Sequence, residues 1–236
     1  MNILFPMAGF GMRYASAGYS QPKPLISTAG RPMISVVLDC YPTEANFIFV
    51  IREEHIDLGL QDVLLAARPG ATVIATRQRT AGPVQTALLA RKFIDSSTEL
   101  LVADCDSYLV WPFEWIWSWM RRRDADGGVT VRYSSDPACS YAAIDAQGWV
   151  TETREKDPFT PFSTTGPYWW RRGSDFVRMA EAVGSDQAIN GEYYVSPLYN
   201  SLIAEGGQVL AYFLSEFWPL GVPADHNAFE AALNAV

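Results

Sequence analysis

The sequence predicts an α/β fold: a mostly parallel sheet covered by helices on both faces, with a smaller antiparallel lobe in the second half. Three observations carry this. Through Asp106, apolar runs of strand length alternate with segments of helical periodicity. The runs at 47–51 and 100–103 are continuously apolar, as strands buried on both faces are. From Gly128 onward that rhythm gives way to short strands separated by turns.

The elements follow in order. A strand at 2–6 ends in Ala8-Gly9-Phe10-Gly11-Met12-Arg13, read as a loop. Residues 32–38 predict a helix, since Pro32 suits a first turn and Met33, Val36 and Val37 follow at i, i+3, i+4. A strand at 46–51 precedes an amphipathic helix at 56–67, which Pro69-Gly70 stops. Then come a strand at 71–76, a helix at 83–93, and a strand at 99–103 running into Asp104-Cys105-Asp106. Arg121-Arg122-Arg123, followed by Asp124 and Asp126, marks the exposed end of a helix. Strands are expected at 128–133, 141–145 and 149–153, the last two joined by a turn at Gln147-Gly148. Helices at 174–182 and 194–205, a late strand at 208–214 and a closing helix at 225–236 complete the chain. Tyr168-Trp169-Trp170 and the tryptophans at 111, 115, 117, 119, 149 and 218 are expected in the core or its rim. With no repeat, low-complexity segment or linker, residues 1–236 are expected to form a single domain.

Composition narrows the function. Half the residues are hydrophobic, which excludes disorder, and a net charge of −8 with no basic patch argues against nucleic acid as a partner. Three cysteines without a pairwise motif fit reduced thiols and a cytoplasmic setting. His55 and His226 are too few for a histidine-built metal site. No apolar run approaches a membrane span, so no membrane partner is expected. The apolar N-terminus lacks a basic n-region and reads as a first strand.

Ligands of open parallel sheets bind beyond the carboxyl ends of the strands. The glycine loop and the Asp104/Asp106 pair both sit at such ends, hence on one rim. Glycines after a strand let backbone amides approach a phosphate closely, though a bare Gly-x-Gly also describes a tight turn. The Gly-Lys-Ser/Thr of a P-loop is missing, and Tyr14 stands where a dinucleotide fingerprint needs its third glycine. What is left is a glycine loop with two cations, Arg13 and Lys23, the latter held between Pro22 and Pro24. That set suits a polyphosphate, whose charge must be neutralised before a nucleophile can approach.

Gly9, Gly11 and Arg13, then Pro22-Lys23-Pro24-Leu25, then Gly30-Arg31-Pro32-Met33 resemble, in order and spacing, the signature of sugar-phosphate nucleotidyltransferases (nucleotide-sugar pyrophosphorylases). Residues 78–86 resemble the family's base-reading segment, with Pro83-Val84 after Gly82 where the family usually has Thr-Ala. Glu155-Lys156 resembles its Glu-Lys-Pro, with Asp157 intervening before Pro158. Thr165-Gly166-Pro167-Tyr168 resembles its Thr-Gly-Ile-Tyr, and Asn190-Gly191-Glu192-Tyr193-Tyr194 a sugar-contacting segment. Trp218-Pro219-Leu220-Gly221-Val222-Pro223 resembles Trp-x-Asp-x-Gly-Thr-Pro. The resemblance covers nearly the whole chain, densely in the first third. No β-helix repeat follows, as in short capsule-type members.

The resemblance implies a Rossmann-like sheet with a nucleotide half and a substrate-side half. It implies an Mg²⁺-dependent reaction in which a sugar 1-phosphate attacks the α-phosphorus of a nucleoside triphosphate, releasing pyrophosphate and a nucleotide sugar for surface polysaccharide. Ala8, Gly9, Gly11, Met12, Arg13, Lys23, Gln78, Gly82 and Asp104 fall on the nucleotide side. Asp106 aligns with the metal ligand, and Asp104 is a second ligand, an acceptor behind it, or a turn cap. Lys156 aligns with the grip on the acceptor phosphate, with Glu155, Thr165, Gly166 and Glu192 lining that pocket and the two glutamates accepting from hydroxyls of the acceptor or of the ribose; the lesser reading of Lys156 is a free lysine on a helix face. Arg13, Lys23, Asp106 and Lys156 form the catalytic set. One departure stands out: the family's second metal aspartate falls on Pro219, which cannot ligate. Either fewer protein ligands suffice, or Asp104, Glu192 or Asp225 substitutes, or activity is reduced; the short members' shared Trp-Pro-Leu-Gly favours the first. The alternatives are a cytidylyltransferase acting on a non-sugar phosphomonoester, choline-phosphate-like or a phospho-amino acid, and a non-catalytic nucleotide-binding protein. The base, the acceptor and the oligomeric state, a homo-oligomer included, are not written in the sequence.

Overall fold

The computed structural model describes residues 1–234, and its first half runs β1 (Asn2–Met7), α1 (Met12–Ser16), β2 (Ser27–Thr28), β3 (Arg31–Pro32), α2 (Met33–Leu38), β4 (Asn46–Arg52), α3 (Leu60–Ala67), β5 (Thr72–Thr76), α4 (Pro83–Leu88), α5 (Arg91–Ile94) and β6 (Leu100–Val102). There follow β7 (Ser107–Val110), α6 (Phe113–Arg122), β8 (Gly127–Tyr133), β9 (Ser140–Ile144), β10 (Val150–Glu155), β11 (Phe162–Trp170), α7 (Gly173–Ala182), α8 (Leu198–Ala204), β12 (Val209–Phe213), β13 (Glu216–Pro219) and α9 (Pro223–Leu233).

Alternation along β1 sets the layers, because successive side chains point to opposite faces of a sheet. Ile3, Phe5 and Met7 pack into one core with α2, α3, α6 and α9, whereas Leu4 and Ala8 pack into the other with α4, α7 and α8. β4 repeats the pattern: Phe47, Phe49 and Ile51 on one side, Ile48 and Val50 on the other. Each buried Leu, Ile, Val, Phe or Met among these contributes about 1.5–3 kcal/mol. Trp169 and Trp170 split likewise, Trp169 beside Trp117 (6.1 Å between rings) and Trp170 stacked on Tyr199 (4.6 Å).

One sheet of nine strands runs through the molecule in the order β10-β9-β11-β6-β1-β4-β5, with β8 on β11 and β12 on β8. β6, β1, β4 and β5 are mutually parallel, as the alternation of runs predicts. The antiparallel part continues the same sheet, since β11 pairs antiparallel with β6 through Tyr168↔Val102 and Trp170↔Leu100. α2, β4, β5, β8, β9, β10, α7, β12 and the end of α6 at the arginine triplet lie within a residue or two of their predicted places.

Several elements differ. The helix expected at 56–67 starts only at Leu60, because Gly59 takes φ +84° and cannot be interior to a helix. The one expected at 83–93 breaks into α4 and α5: Leu89 and Ala90 donate to carbonyls three residues back, a tightened turn that ends α4. The one at 194–205 begins at Leu198, after Pro197. Met12–Ser16, read as loop, is a helical turn. β11 was not foreseen as a strand, because Gly166-Pro167 interrupts it; a bulge between Thr164 and Tyr168 absorbs both. Trp115 is half exposed, stacked on Trp119, rather than buried. The last two residues of the expected closing helix lie outside the described residues. No described helix is long and apolar enough to cross a membrane.

Candidate active site

Because β1 and β6 are parallel neighbours, their carboxyl ends open on one edge. The glycine loop leaves β1 there and Asp104-Cys105-Asp106 leaves β6. A cleft in two adjoining halves lies over that edge, of about 380 and 500 Å³. The smaller is bordered by the loop from Ala8 to Arg13, by Arg79, Thr80 and Gly82, and by Glu192. The larger is bordered by Asp104, Arg132, Glu155, Lys156, Thr165 and Gly166, among others. Arg13, Lys23, Asp106 and Gly221 border both.

That shared wall is where charge is densest. Lys23 stands in a 3₁₀ turn between two prolines and its Nζ lies 2.6 Å from Asp106 Oδ2. Burial disfavours both charges, but each stabilises the other: the lysine is pushed above its ordinary range and Asp106 is held below its own, with Arg13 adding to the pull. Asp104 stays open to the cleft, and its carboxyl is pushed upward, by the surrounding protein first and the Asp106 charge next, against Lys23. Two carboxylates crowded at one cleft wall are a hard-oxygen donor set that suits Mg²⁺, which takes one or two carboxylates and completes its shell with phosphate oxygens and water.

The neighbouring segments are shaped around this pair. The register of β11 on β6 brings Gly166 beside Asp104; its φ is +107° and a Cβ there would stand 2.6 Å from Asp104 Oδ2. β13 pairs with β7 through Pro219↔Ser107, and Leu220 N–H donates to the Asp106 carbonyl (2.7 Å). Pro219 therefore forms cleft wall beside Asp106 without supplying a carboxylate. Of the three acids named as substitutes, Asp104 and Asp225 border the larger half and Glu192 the smaller. Tyr14, in place of a third glycine, is buried and donates to the Leu220 carbonyl (2.7 Å), tying the glycine loop's helical turn to the same segment.

Farther into the larger half, Glu155 is buried and accepts from Ser140 Oγ. Burial pushes its carboxyl above the ordinary value, with Ser140 and Lys156 pulling the other way. The folded protein thus holds a proton at pH values where the unfolded chain has released it. The stability this lends is full in acid and is lost as pH rises from about 4.5 through the raised folded value. Glu155→Gln is expected to flatten that part of the profile in urea unfolding between pH 4 and 7; an unchanged slope would assign the titration elsewhere. Thr165 is buried and shares a 2.6 Å hydrogen bond with Thr130, so its hydroxyl serves the wall as much as the cavity. Lys156 lies just past β10, at φ +56°, not on a helix face.

The structure brings together almost every residue the sequence singled out. Gln78 borders neither half, whereas Arg79 and Thr80 border the smaller one. Two others change sides: Glu192, expected in the acceptor pocket, borders the smaller half because its segment is bonded to the loop at Ala81–Val84, and Asp104, expected on the nucleotide side, borders the larger half beside Gly166. Gly82 borders the smaller half, but its φ of +94° and the 2.7 Å from a Cβ to the Tyr193 backbone make it a packing glycine as well. Sequence reasoning missed Arg132, whose guanidinium lies 4.7 Å from the Phe217 ring centre, and Tyr194, whose hydroxyl touches both Lys156 and Glu192. Arg132 leaves no signal in a strand of ordinary alternation; Tyr194 closes the Asn190–Tyr194 segment that resembles a sugar-contacting one, and that resemblance gives its hydroxyl no role.

The sequence matches no family model, and no curated protein matches it. Solved structures do resemble it. The nucleoside-diphosphate-sugar pyrophosphorylase from Vibrio cholerae RC9 is 24% identical over 97% of this chain and 99% of its own, with a TM-score of 0.82. A UDP-glucose pyrophosphorylase complexed with UDP-glucose is 13% identical over 99% and 98%, with a TM-score of 0.81. The inositol-1-phosphate CTP transferase from T. maritima is 15% identical over 97% and 93%, with a TM-score of 0.77. The chain has the fold of these proteins along essentially its whole length.

Proposed function

We propose that the chain, as one domain, is a nucleotidyltransferase that joins a nucleoside triphosphate to a sugar 1-phosphate and releases pyrophosphate. The observation that carries this reading is the wall shared by the two cleft halves, where Arg13, Lys23 and Asp106 stand between a glycine loop on one side and Lys156 on the other. A phosphate oxygen of the acceptor attacks the α-phosphorus, and the bond to the bridging oxygen breaks as pyrophosphate leaves. The attacking phosphate is already an anion, so the site needs cations and positioning rather than a base. Arg13 and Lys23 hold the triphosphate; Lys156 holds the acceptor phosphate in line with the leaving group. Asp106, with Asp104, would hold Mg²⁺, which when bound supplies further neutralisation of the phosphate charge. The fold shared with nucleotide-sugar pyrophosphorylases supports the reading, as does the motif order. A cytoplasmic role in supplying nucleotide sugars for surface polysaccharide is the setting this predicts. The likeness to a CTP transferase for inositol 1-phosphate favours a second reading, cytidylyl transfer to a non-sugar phosphomonoester.

Thermal shifts with CTP, UTP, GTP, ATP and dTTP plus Mg²⁺ test the nucleotide half, since a ligand at 100 times its Kd stabilises by about 2.7 kcal/mol. Pyrophosphate release with sugar 1-phosphates and non-sugar phosphomonoesters then separates the two readings. Absence of any shift across the five triphosphates would overturn both. Lys156→Ala is expected to leave triphosphate affinity unchanged in calorimetry without acceptor, while raising the acceptor KM, lowering kcat, or both, through loss of a contact worth about 1.5–3 kcal/mol. Lost triphosphate binding would move Lys156 to the nucleotide side.

A further inference from the structure

Glu192 borders the smaller half of the cleft, and Lys156 and Tyr194 border the larger. The Tyr194 hydroxyl donates to the Glu192 carboxylate and accepts from the Lys156 ammonium, whose Nζ also stands 4.4 Å from the centre of the phenol ring. Among the described residues no carboxylate lies within 4.0 Å of Lys156, so this phenol is the polar partner that aims it, and Glu192 supplies the counter-charge at one remove. The Lys156 backbone is constrained too: its φ is +56°, costly for a lysine, and its N–H donates to the Cys139 carbonyl (2.9 Å).

The segment carrying Glu192 and Tyr194 is fastened to the nucleotide side. Tyr193 N–H donates to Ala81 O (2.9 Å) and Val84 N–H to Tyr193 O (3.1 Å), and the close approach at Gly82 leaves no slack between the two loops. One tyrosine hydroxyl therefore spans from the half that borders the glycine loop to the lysine in the other half.

The geometry points to Tyr194 as a positioning residue that couples the two substrates: a ligand hydroxyl that engages Glu192 in the nucleotide half releases Tyr194 from it and so changes how Lys156 is held for the acceptor phosphate. This rests on the assignment of the two halves above. No covalent step is involved; the hydrogen bond from Tyr194 to Glu192 is exchanged for one from the ligand. Binding order then has a physical basis, because the acceptor meets a lysine set by nucleotide occupancy.

The test reads Lys156 directly. Trace acylation with acetic anhydride at fixed pH, followed by mass spectrometry, gives the rate at Lys156 relative to exposed Lys92. Tyr194→Phe, which keeps the ring, is expected to raise that ratio about 2–10-fold, the scale of one lost hydrogen bond. Glu192→Gln is expected to raise it in the wild-type background and to add nothing in the Tyr194→Phe background. Whichever triphosphate shifts the melting temperature is expected to move the ratio in wild type and not in Tyr194→Phe. An unchanged ratio in unliganded Tyr194→Phe, additive effects of the two substitutions, or a nucleotide effect that persists without the hydroxyl would each overturn the coupling. If no triphosphate binds, the functional reading fails, while the unliganded variants still decide whether Tyr194 ties Glu192 to Lys156.

Discussion

Lys23→Ala is expected to lower kcat/KM for pyrophosphate release by about 10²–10³-fold, the usual loss when one preorganised stabiliser of transition-state charge is removed. The structure explains why so exposed-looking a motif should matter so much. Lys23 is locked by prolines on both sides, its Nζ sits 2.6 Å from Asp106 Oδ2, and it borders both halves of the cleft. It cannot be replaced by a mobile surface cation. The pair keeps only 22% and 18% of its side-chain surface exposed, so Lys23→Ala leaves Asp106 in the cleft wall with Arg13 as its remaining cation and is expected to cost about 1–3 kcal/mol of stability. A lowered melting temperature with the fold retained and activity lost is therefore the expected combination. Arg13→Ala should behave similarly, since Arg13 borders the same wall and acts on Asp106. Near-wild-type turnover in either variant would remove that residue from the mechanism.

Asp106→Asn is expected to abolish most activity, with Asp104→Asn losing less. Asp106 is the carboxylate that Lys23 and Arg13 keep ionised, whereas Asp104 is pushed toward its neutral form by its surroundings and by Asp106. An ionised carboxylate is the better ligand for a hard cation, so the first binding contact should fall to Asp106. Activity should disappear with chelator and return with Mg²⁺ or Mn²⁺ in the wild type. A larger loss from Asp104→Asn would reverse the assignment of the two acids. Full activity in the presence of chelator would remove the metal from the reaction and leave the charge balance to Arg13, Lys23 and Lys156.

The sequence by itself determined the parallel half of the sheet and the rim on which the site lies. Both are consequences of short-range regularities: continuous apolar runs make strands buried on two faces, and glycine or aspartate at their ends must fall where such strands open. The cationic pair was legible for the same reason, because Pro22-Lys23-Pro24 constrains its lysine locally. Tertiary structure alone decided the rest. β11 is a strand because β6 and β8 supply partners on either side and a bulge accommodates Gly166-Pro167, a compensation that no local pattern encodes. The helices at 56–67, 83–93 and 194–205 lost residues at a left-handed glycine, a tightened turn and a proline, where helical periodicity and backbone geometry conflict and geometry wins. Gln78 matched a motif yet borders neither half, while Arg132 matched none and Tyr194 only closed a matched segment without a role of its own, and both stand in the cleft. Their positions depend on pairings between residues far apart in the chain, and a side chain's partner across a cleft is a property of those pairings rather than of its neighbours in sequence.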